Sequence, residues 1–287
     1  MNIKEYVTKQ LGRTNGKRYE AYVVHRIISK LDDLSIKFVT QQYVSLPDGK
    51  FALTDLYFPQ LRIHVEVDEA HHRRNDNVRA DEIRSRDIVV RANSNPLIRI
   101  DVETLSIDEI NIEIDKIVKI VGEARNSEID FKPWDITAEY NSETYRKKGY
   151  IDANEDVALR TSVEVCHCFG HKYKGWRRGG APHPDENTIL WFPRLYENST
   201  WDNSISNDEL TIFEKSKDTT RAEKMLSDFL AKDVAKRVVF ARVKDNLGSV
   251  MYRFRGVYKF NPEESRESGA LVWKRISTKT KTFPLPV

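Results

Sequence analysis

Acidic side chains are concentrated in two neighbouring segments, ALTDLYF (52–58) and RIHVEVDEAHH (62–72). A β-strand turns successive side chains to opposite faces, so Glu66 and Asp68 share one face. If a two-residue turn joins the segments, Asp55 lies opposite about residue 64 and diagonal to Glu66, roughly 7–8 Å away. Carboxylates this close repel one another unless a cation neutralises them, and such oxygen ligands select Mg²⁺ or Mn²⁺. The spacing predicts a divalent-metal site made by Asp55, Glu66 and Asp68.

Two histidines, His71 and His72, follow the acids directly. A histidine beside a metal-bound water acts as a general base or protonates a leaving group, so the combination indicates hydrolytic chemistry. Glu20 is a further candidate because it lies on the apolar stripe of the helix expected over 17–34. Its alternative role is a first-turn carboxylate that the helix dipole favours. The alternative for the whole cluster is an edge strand with a solvated charged face.

The acids require a sheet with flanking helices to position them. Residues 17–34 have helical apolar spacing, and KFVTQQYVS, ALTDLYF and RIHVEVD predict three antiparallel strands. A charged helix (DNVRADEIRSRDIVV), a strand (LIRIDVE) and a helix over about 106–124 follow. We therefore expect a compact α/β (α+β) unit over residues 1–125.

The character of the chain changes after residue 125. Residues 126–150 are polar without a sustained period, which predicts a linker. Over 151–287, short β-prone segments separated by Gly, Pro and Asn-rich turns predict a second, partly closed β-barrel domain with one helix near 220–236.

The composition is that of a globular protein, with 39% hydrophobic and 32% charged residues in a chain of 287. No apolar run approaches the roughly 20 residues that a membrane span needs, so we expect no membrane association. The beginning of the chain, MNIKEYVTKQ, has no secretory-signal pattern, and a cytoplasmic location is expected. The net charge of +3 is too small to indicate a nucleic-acid partner by itself.

Three short segments of the sequence each have two possible interpretations. Cys166, Cys168 and His171 are either metal ligands or the end of a strand with both cysteines on one face. The segments HKYKGWRRGG (171–180) and MYRFRGVYKF (251–260) mix basic and aromatic residues. They are either DNA contacts or, respectively, a solvated loop and an ordinary amphipathic strand.

The N-terminal motifs resemble those of Vsr-like endonucleases, a branch of the PD-(D/E)XK nucleases. That branch shows an Asp in one strand, then Glu-x-Asp and nearby His in the next, and Asp55, Glu66, Asp68, His71 and His72 match this order. Most PD-(D/E)XK nucleases have lysine two residues after the acid, where this chain has Asp68. The resemblance implies that histidine replaces the lysine. It leaves open which histidine is the base and whether Glu66 contacts metal.

The C-terminal half resembles an SRA domain, which extrudes a modified cytosine from the duplex into a pocket. Such a pocket needs an aromatic ring for stacking, an amide for the Watson-Crick edge and an acceptor for the exocyclic amine. The resemblance implies Trp201, Asn203 and Glu214 in these roles, with Asp202 as a second candidate acceptor. The alternative is that Trp201 is a core aromatic and the others are turn residues.

Nearly the whole chain resembles the modification-dependent restriction endonucleases of the AbaSI and PvuRts type. The resemblance implies a Mg²⁺-dependent homodimer without a small-molecule cofactor, active in phage defence. It would recognise 5-hydroxymethylcytosine or its glucosylated form in double-stranded DNA and cut at a distance on the 3′ side. Segments 171–180 and 251–260 would then hold phosphates and fill the gap left by the flipped base. Two alternatives are a Vsr-type nicking or repair nuclease and a catalytically inactive modified-base reader.

Overall fold

The computed structural model describes residues 1–14, 18–45, 51–69, 90–91, 97–196 and 198–286. It divides into two compact units: Met1–Ile136 with Asn246–Gly248, and Thr137–Asp245 with Ser249–Val287. His71, His72 and most of the predicted charged helix, residues 76–89, lie outside the described residues. Within the described ranges, no helix has the length and apolar character required for a membrane span.

The first unit is a sheet with helices packed against it. Its elements are α1 (Ile3–Gly12), α2 (Arg18–Leu31), β1 (Val39–Ser45), β2 (Phe51–Phe58), β3 (Ile63–Asp68), β4 (Val90–Arg91), β5 (Leu97–Asp101) and α3 (Ile107–Ser127). The sheet order is β4-β1-β2-β3-β5. The predicted antiparallel meander β1–β2–β3 is confirmed, and β5 runs parallel to β3.

The core of the first unit follows from periodic apolar positions. Helix α2 buries Val23, Val24 and Ile27 against the sheet, and α3 buries a stripe that begins at Ile110. Alternate residues of β3 complete this core, as the strand period predicts: Ile63, Val65 and Val67. Helix α3 begins at a capping box, in which Ser106 and Glu109 each accept a hydrogen bond from the other's backbone N–H.

The turn between β2 and β3 differs from the expected two-residue turn. Four residues, 59–62, separate the strands, with two overlapping turns closed by Leu61 N–H to the Phe58 carbonyl and Arg62 N–H to the Pro59 carbonyl. Arg62 has a φ of 55°, in the left-handed region. The longer turn changes the register, so His64 pairs with Tyr57 rather than lying opposite Asp55.

The second unit is rich in short strands. Its elements are α4 (Ile136–Glu139), α5 (Ser142–Lys148), β6 (Tyr150–Asp152), a 3₁₀ turn (Ala153–Glu155), β7 (Ala158–Leu159), α6 (Ser162–Cys168), β8 (Gly180–Pro182), β9 (Thr188–Trp191), β10 (Ser204–Ile205), β11 (Thr211–Glu214), α7 (Thr219–Leu230), β12 (Lys236–Lys244), β13 (Val250–Phe260), α8 (Pro262–Ser268), β14 (Leu271–Ser277) and β15 (Lys279–Lys281). One sheet has the order β10-β11-β14-β13-β12-β9-β8, with β7 beside β13, and β15 pairs with β6.

Two expectations for the second half need correction. The prediction of one helix over 151–287 is wrong, because α6 and α8 accompany α7. The cysteines lie in helix α6 rather than at a strand end, since Thr161 and Glu164 form a capping box that begins a helix there. The boundary between the units, at Ile136 and Thr137, falls within the predicted linker 126–150, and Tyr145 of α5 packs into the second core.

Candidate functional site

The predicted acids lie near one another in the first sheet, at the point where strands β2 and β3 stop pairing. The β2–β3 ladder runs from Phe58 to Leu56, and Asp55 lies one residue beyond its last pair. There the Asp55 Oδ2 atom accepts a hydrogen bond from the Val67 backbone N–H at 2.8 Å. Glu66 and Asp68 lie on either side of Val67 and face away from the core. The position of Asp55 therefore depends on the point where β2 and β3 stop pairing.

Glu20 joins this group through a glutamine that the sequence analysis missed. The Gln41 Nε2 atom donates to Glu20 Oε1 at 2.7 Å and to Asp55 Oδ1 at 2.9 Å. All three side chains are buried, with exposed fractions of 0%, 6% and 4% for Glu20, Gln41 and Asp55. Gln41 has a φ of 54°, a strained value for a residue with a side chain. One neutral amide thus holds two carboxylates within hydrogen-bonding distance of a single nitrogen atom.

Glu69 is a second residue that the sequence analysis did not select. Its Oε1 atom accepts hydrogen bonds from the backbone N–H groups of Tyr19 and Glu20, at 3.1 and 2.9 Å, in the first turn of α2. The first N–H groups of a helix have no partner within the helix, so a carboxylate there is favourable. Glu69 therefore ties the end of β3 to the turn that carries Glu20.

Burial and the charges of neighbouring side chains shift the pKa of Glu66. Burial raises the pKa of Glu66, the Arg99 guanidinium opposes this shift, and the charges of Asp55 and Asp68 raise the pKa further. Arg99 lies beside Glu66 in the neighbouring strand β5, with its Nε atom 3.0 Å from Glu66 Oε2. In the same parallel ladder of β3 and β5, Asp68 lies opposite Asp101. Among the described residues, Arg99 is thus the cation that pairs with Glu66, and Asp55 and Asp68 oppose its effect on the Glu66 pKa.

Oxygen donors in such an arrangement fit a hard divalent cation. In the described ranges, no group of three His, Cys, Asp or Glu side chains is close enough to enclose a metal ion by itself. Mg²⁺ is usually held by one or two carboxylates together with water and substrate phosphates, so a complete protein cage is not required. Asp55, Glu66 and Asp68 are the candidate oxygen donors of this cluster, and one or two of them suffice for Mg²⁺ or Mn²⁺ in this open form.

His64 lies beside the cluster but is unsuited to acid-base chemistry. It is buried, its ring stacks on Tyr57 with centroids 4.3 Å apart, and desolvation lowers its pKa to about 4. A group with this pKa is neutral near pH 7. His64 is therefore a poor candidate for a general base, and the predicted candidates His71 and His72 lie outside the described residues.

The predicted base-recognition residues share one face of a ribbon in the second unit. Trp201 pairs with Ser216 in an antiparallel bridge, and Ser204 pairs with Phe213. The same register places Asn203 opposite Glu214. Both side chains are buried, and Trp201 is half-buried. The alternative candidate, Asp202, is exposed on the opposite face of the ribbon because side chains alternate along a strand.

Glu214 has two strong partners. Its Oε2 atom accepts from the Arg237 guanidinium at 2.7 Å and from the Trp273 indole N–H at 3.2 Å. Asn203 Oδ1 accepts from the Lys215 backbone N–H at 3.2 Å, which fixes the amide beside Glu214. The Arg221 guanidinium lies 4.8 Å from the centre of the Trp201 ring. The three predicted residues are therefore held in defined positions next to one another.

The segment 171–178, which we call the basic arm, contains a stack of rings. His171 lies on Tyr173 with centroids 4.7 Å apart and planes 7° apart, and Tyr173 lies on Trp176 at 4.5 Å and 12°. The Arg178 guanidinium follows at 5.6 Å from the Trp176 ring centre. Lys172 and Lys174 alternate with these rings in the sequence, Arg177 follows the last ring, and all three side chains are exposed. The arm therefore presents positive charge on an ordered support.

The second basic-aromatic segment, 251–260, falls within β13 and buries its arginines. Arg253 donates to the Asp156 carbonyl, and the Arg255 guanidinium donates to Glu209 at 2.6 Å. These contacts lie inside the second unit. They favour the amphipathic-strand interpretation of this segment over the DNA-contact interpretation.

The cysteines lack the character of metal ligands. Cys166 and Cys168 are buried in α6, and desolvation raises the pKa of both thiols to about 12. His171 Nε2 lies 2.9 Å from the Pro182 carbonyl oxygen. Both thiols pack in the core of the second unit, and among the described residues no group of three His, Cys, Asp or Glu side chains is placed to hold a metal ion.

Comparisons with known proteins cover both units. Residues 4–141 match the family described as restriction endonuclease PvuRts1 I-like, N-terminal, and residues 144–282 match the SET and RING associated (SRA) domain. A solved structure described as the 5-hydroxymethylcytosine-specific restriction enzyme AbaSI is 43% identical, covers 99% of each chain and superposes with a TM-score of 0.86. No curated protein gives a significant sequence match.

Proposed function

The chain belongs to the PvuRts1 I-like restriction endonucleases that carry an SRA domain, and we propose that it cuts double-stranded DNA at a distance from 5-hydroxymethylcytosine or its glucosylated form. The observation that carries this proposal is the likeness, over 99% of both chains, to an enzyme described as specific for 5-hydroxymethylcytosine. Because the likeness includes both units, it supports a cutting unit and a base-reading unit in one chain.

In the cutting unit, Asp55, Glu66 and Asp68 would hold Mg²⁺, or Mn²⁺ in its place. Such an ion polarises the phosphodiester and lowers the pKa of a bound water. The Gln41 amide donates to both Glu20 and Asp55, which supports a role for Gln41 in positioning these two carboxylates. His71 or His72 would accept the proton of the attacking water.

In the base-reading unit, the modified cytosine would leave the duplex and stack on Trp201. The Asn203 amide would complement the Watson-Crick edge, and Glu214 would accept a hydrogen bond from the exocyclic amine. The exposure of Asp202 on the opposite face favours Glu214 as the acceptor.

We propose the remaining features by resemblance to the family. The enzyme would act as a homodimer in which each cutting unit cleaves one strand on the 3′ side of the base, in defence against phage. A cytoplasmic location and the lack of a small-molecule cofactor stay predictions.

The test is digestion of matched duplexes that contain cytosine, 5-methylcytosine, 5-hydroxymethylcytosine or its glucosylated form, with and without Mg²⁺. We expect double-strand cleavage confined to the hydroxymethylated or glucosylated duplexes and dependent on Mg²⁺. Equal nicking of all four duplexes would favour a Vsr-type nicking or repair nuclease. Selective binding without cleavage in Mg²⁺ or Mn²⁺ would favour an inactive reader.

The basic arm provides a second prediction, about phosphate binding. Its rings stack on one another, which favours a role for Lys172, Lys174 and Arg177 at the DNA backbone over a role for the rings in the gap left by the flipped base. Removing one cation that neutralises a phosphate should reduce the slope of log K against log salt by about 0.9. Preference for the modified base should stay within about twofold, because phosphate contacts carry no base information.

The measurement is DNA affinity of the Lys172→Ala, Lys174→Ala, Arg177→Ala triple variant at several salt concentrations. A triple variant of other exposed residues in the same unit, Lys224→Ala, Lys259→Ala and Arg266→Ala, removes the same charges and serves as the control. An equal reduction of the slope in both variants would contradict a specific role for the arm.

A further inference from the structure

A buried arginine, Arg237, contacts one of the proposed base-reading residues, Glu214. Arg237, in β12, has an exposed fraction of only 6%. Its guanidinium carbon lies 3.7 Å from the centre of the Trp273 ring and 4.1 Å from the centre of the Trp191 ring. A buried cation is expensive unless it is paired and its donors are used. The sequence analysis did not select this residue.

The charge partner of this arginine is Glu214. The ion pair joins Arg237 Nη1 to Glu214 Oε2 at 2.7 Å, with 8% of each side chain exposed. The Trp273 indole donates to the same oxygen. Among the described residues, none donates to the other carboxylate oxygen, Oε1. Both fixed donors therefore lie on one side of the carboxylate, and the second oxygen is left to accept a further hydrogen bond.

We infer that Arg237 is a positioning residue for modified-base recognition, which holds the Glu214 carboxylate so that Oε1 accepts from the flipped base. This inference rests on the proposed role of Glu214 as the acceptor. The guanidinium packs against two indole rings whose centres lie 5.9 Å apart, and this packing restricts its movement. Without the guanidinium, Glu214 would lose its charge partner and its orientation.

A purely structural arginine would behave differently from a positioning one. Loss of a structural arginine would destabilise the fold and lower DNA binding to the same extent with glutamate or glutamine at position 214. Loss of a positioning arginine would lower the preference for the modified base only while Glu214 is present. A double-mutant cycle separates these two cases.

The experiment compares the full-length chain with its Arg237→Met, Glu214→Gln and double variants. The readout is the ratio of dissociation constants for matched duplexes with cytosine and 5-hydroxymethylcytosine, measured without divalent metal. A hydrogen bond to a charged group corresponds to roughly a tenfold effect or more, so each single variant should reduce the ratio by about tenfold. The double variant should match Glu214→Gln within about twofold.

Two further variants keep the test decisive if Arg237→Met does not fold. Arg237→Lys retains the charge and should recover part of the preference, and Trp273→Phe retains a ring but removes the donor to Oε2. Each is combined with Glu214→Gln in the same cycle. Arg255→Met, which removes another buried arginine of this sheet, is the control and should lower the melting temperature without changing the ratio.

The outcomes separate the two proposals. If Glu214→Gln leaves the ratio unchanged, Glu214 does not read the base, and both the acceptor role and this inference are overturned. If Glu214→Gln lowers the ratio but substitution of Arg237 has no effect, or the same effect in both backgrounds, only the inference is overturned.

Discussion

Replacing Asp55 by asparagine is expected to reduce cleavage of hydroxymethylated DNA by roughly 10³-fold or more, because a metal-held carboxylate site contributes several kcal/mol to stabilising a phosphodiester transition state. Asparagine lacks the negative charge that a divalent cation requires. The measurement is single-turnover cleavage of a duplex with 5-hydroxymethylcytosine at saturating Mg²⁺. Binding of the same duplex without metal should stay at the wild-type level, since base recognition is assigned to the other unit.

The Asp55→Asn variant should keep its fold. The Val67 N–H can still donate to the asparagine oxygen, and Gln41 can keep its hydrogen bond to Glu20, so the substitution loses one hydrogen bond, between Gln41 and residue 55. The loss of a charged acceptor in this buried position costs about 1–3 kcal/mol, which a folded domain can tolerate. A melting curve of the variant verifies this point before any activity is interpreted.

Asp130→Asn is the matched control, because Asp130 is exposed in the same unit, outside the acid cluster. This control should cleave at the wild-type rate. Unchanged hydrolysis by Asp55→Asn would remove Asp55 from the site and with it the proposed arrangement of acids around a metal ion.

The sequence predicted the acid cluster because strand periodicity is a local property. Glu66 and Asp68 had to face away from Val65 and Val67, whatever the rest of the fold did. The partner of Asp55 was predicted less well, because the register of a hairpin depends on its turn. Four turn residues instead of two move His64 opposite Tyr57 and leave Asp55 beyond the end of the ladder.

Gln41 and Glu69 could not be identified from the sequence for a different reason. Gln41 acts from a strand position with a φ of 54°, and a run such as TQQYV carries no signal for one strained residue. Glu69 caps a helix that begins about fifty residues earlier in the chain. Both interactions are long-range, so they depend on the tertiary structure and not on local spacing.

In the second unit, too, long-range contacts could not be predicted from the sequence. Trp201, Asn203 and Glu214 were selected by resemblance, and the ribbon register brings them together on one face. Arg237 gave no signal, since KRVVFARV reads as an ordinary strand with a basic end. Its burial against two indole rings contributed by β9 and β14 depends on strand order, which short β-prone segments do not reveal.

Replacing Trp201 by alanine is expected to remove most of the preference for modified DNA. Stacking of one base on an aromatic side chain contributes about 1–3 kcal/mol, so the ratio of affinities for modified and unmodified duplexes should fall roughly 10–100-fold. The rate of nicking of unmodified DNA should stay at the wild-type level, because the acid cluster lies in the other unit. The measurement is equilibrium binding to matched duplexes, with nicking of unmodified DNA assayed in parallel.

Two substitutions serve as controls for Trp201→Ala. Trp201→Phe keeps an aromatic surface and should retain much of the preference, whereas Asp202→Asn changes the neighbouring exposed side chain and should have little effect. If Trp201→Ala retains the preference, the base is read elsewhere in the second unit. If instead Asp202→Asn loses the preference while Glu214→Gln keeps it, the acceptor lies on the opposite face of the ribbon, and Trp201, Asn203 and Glu214 do not form the pocket.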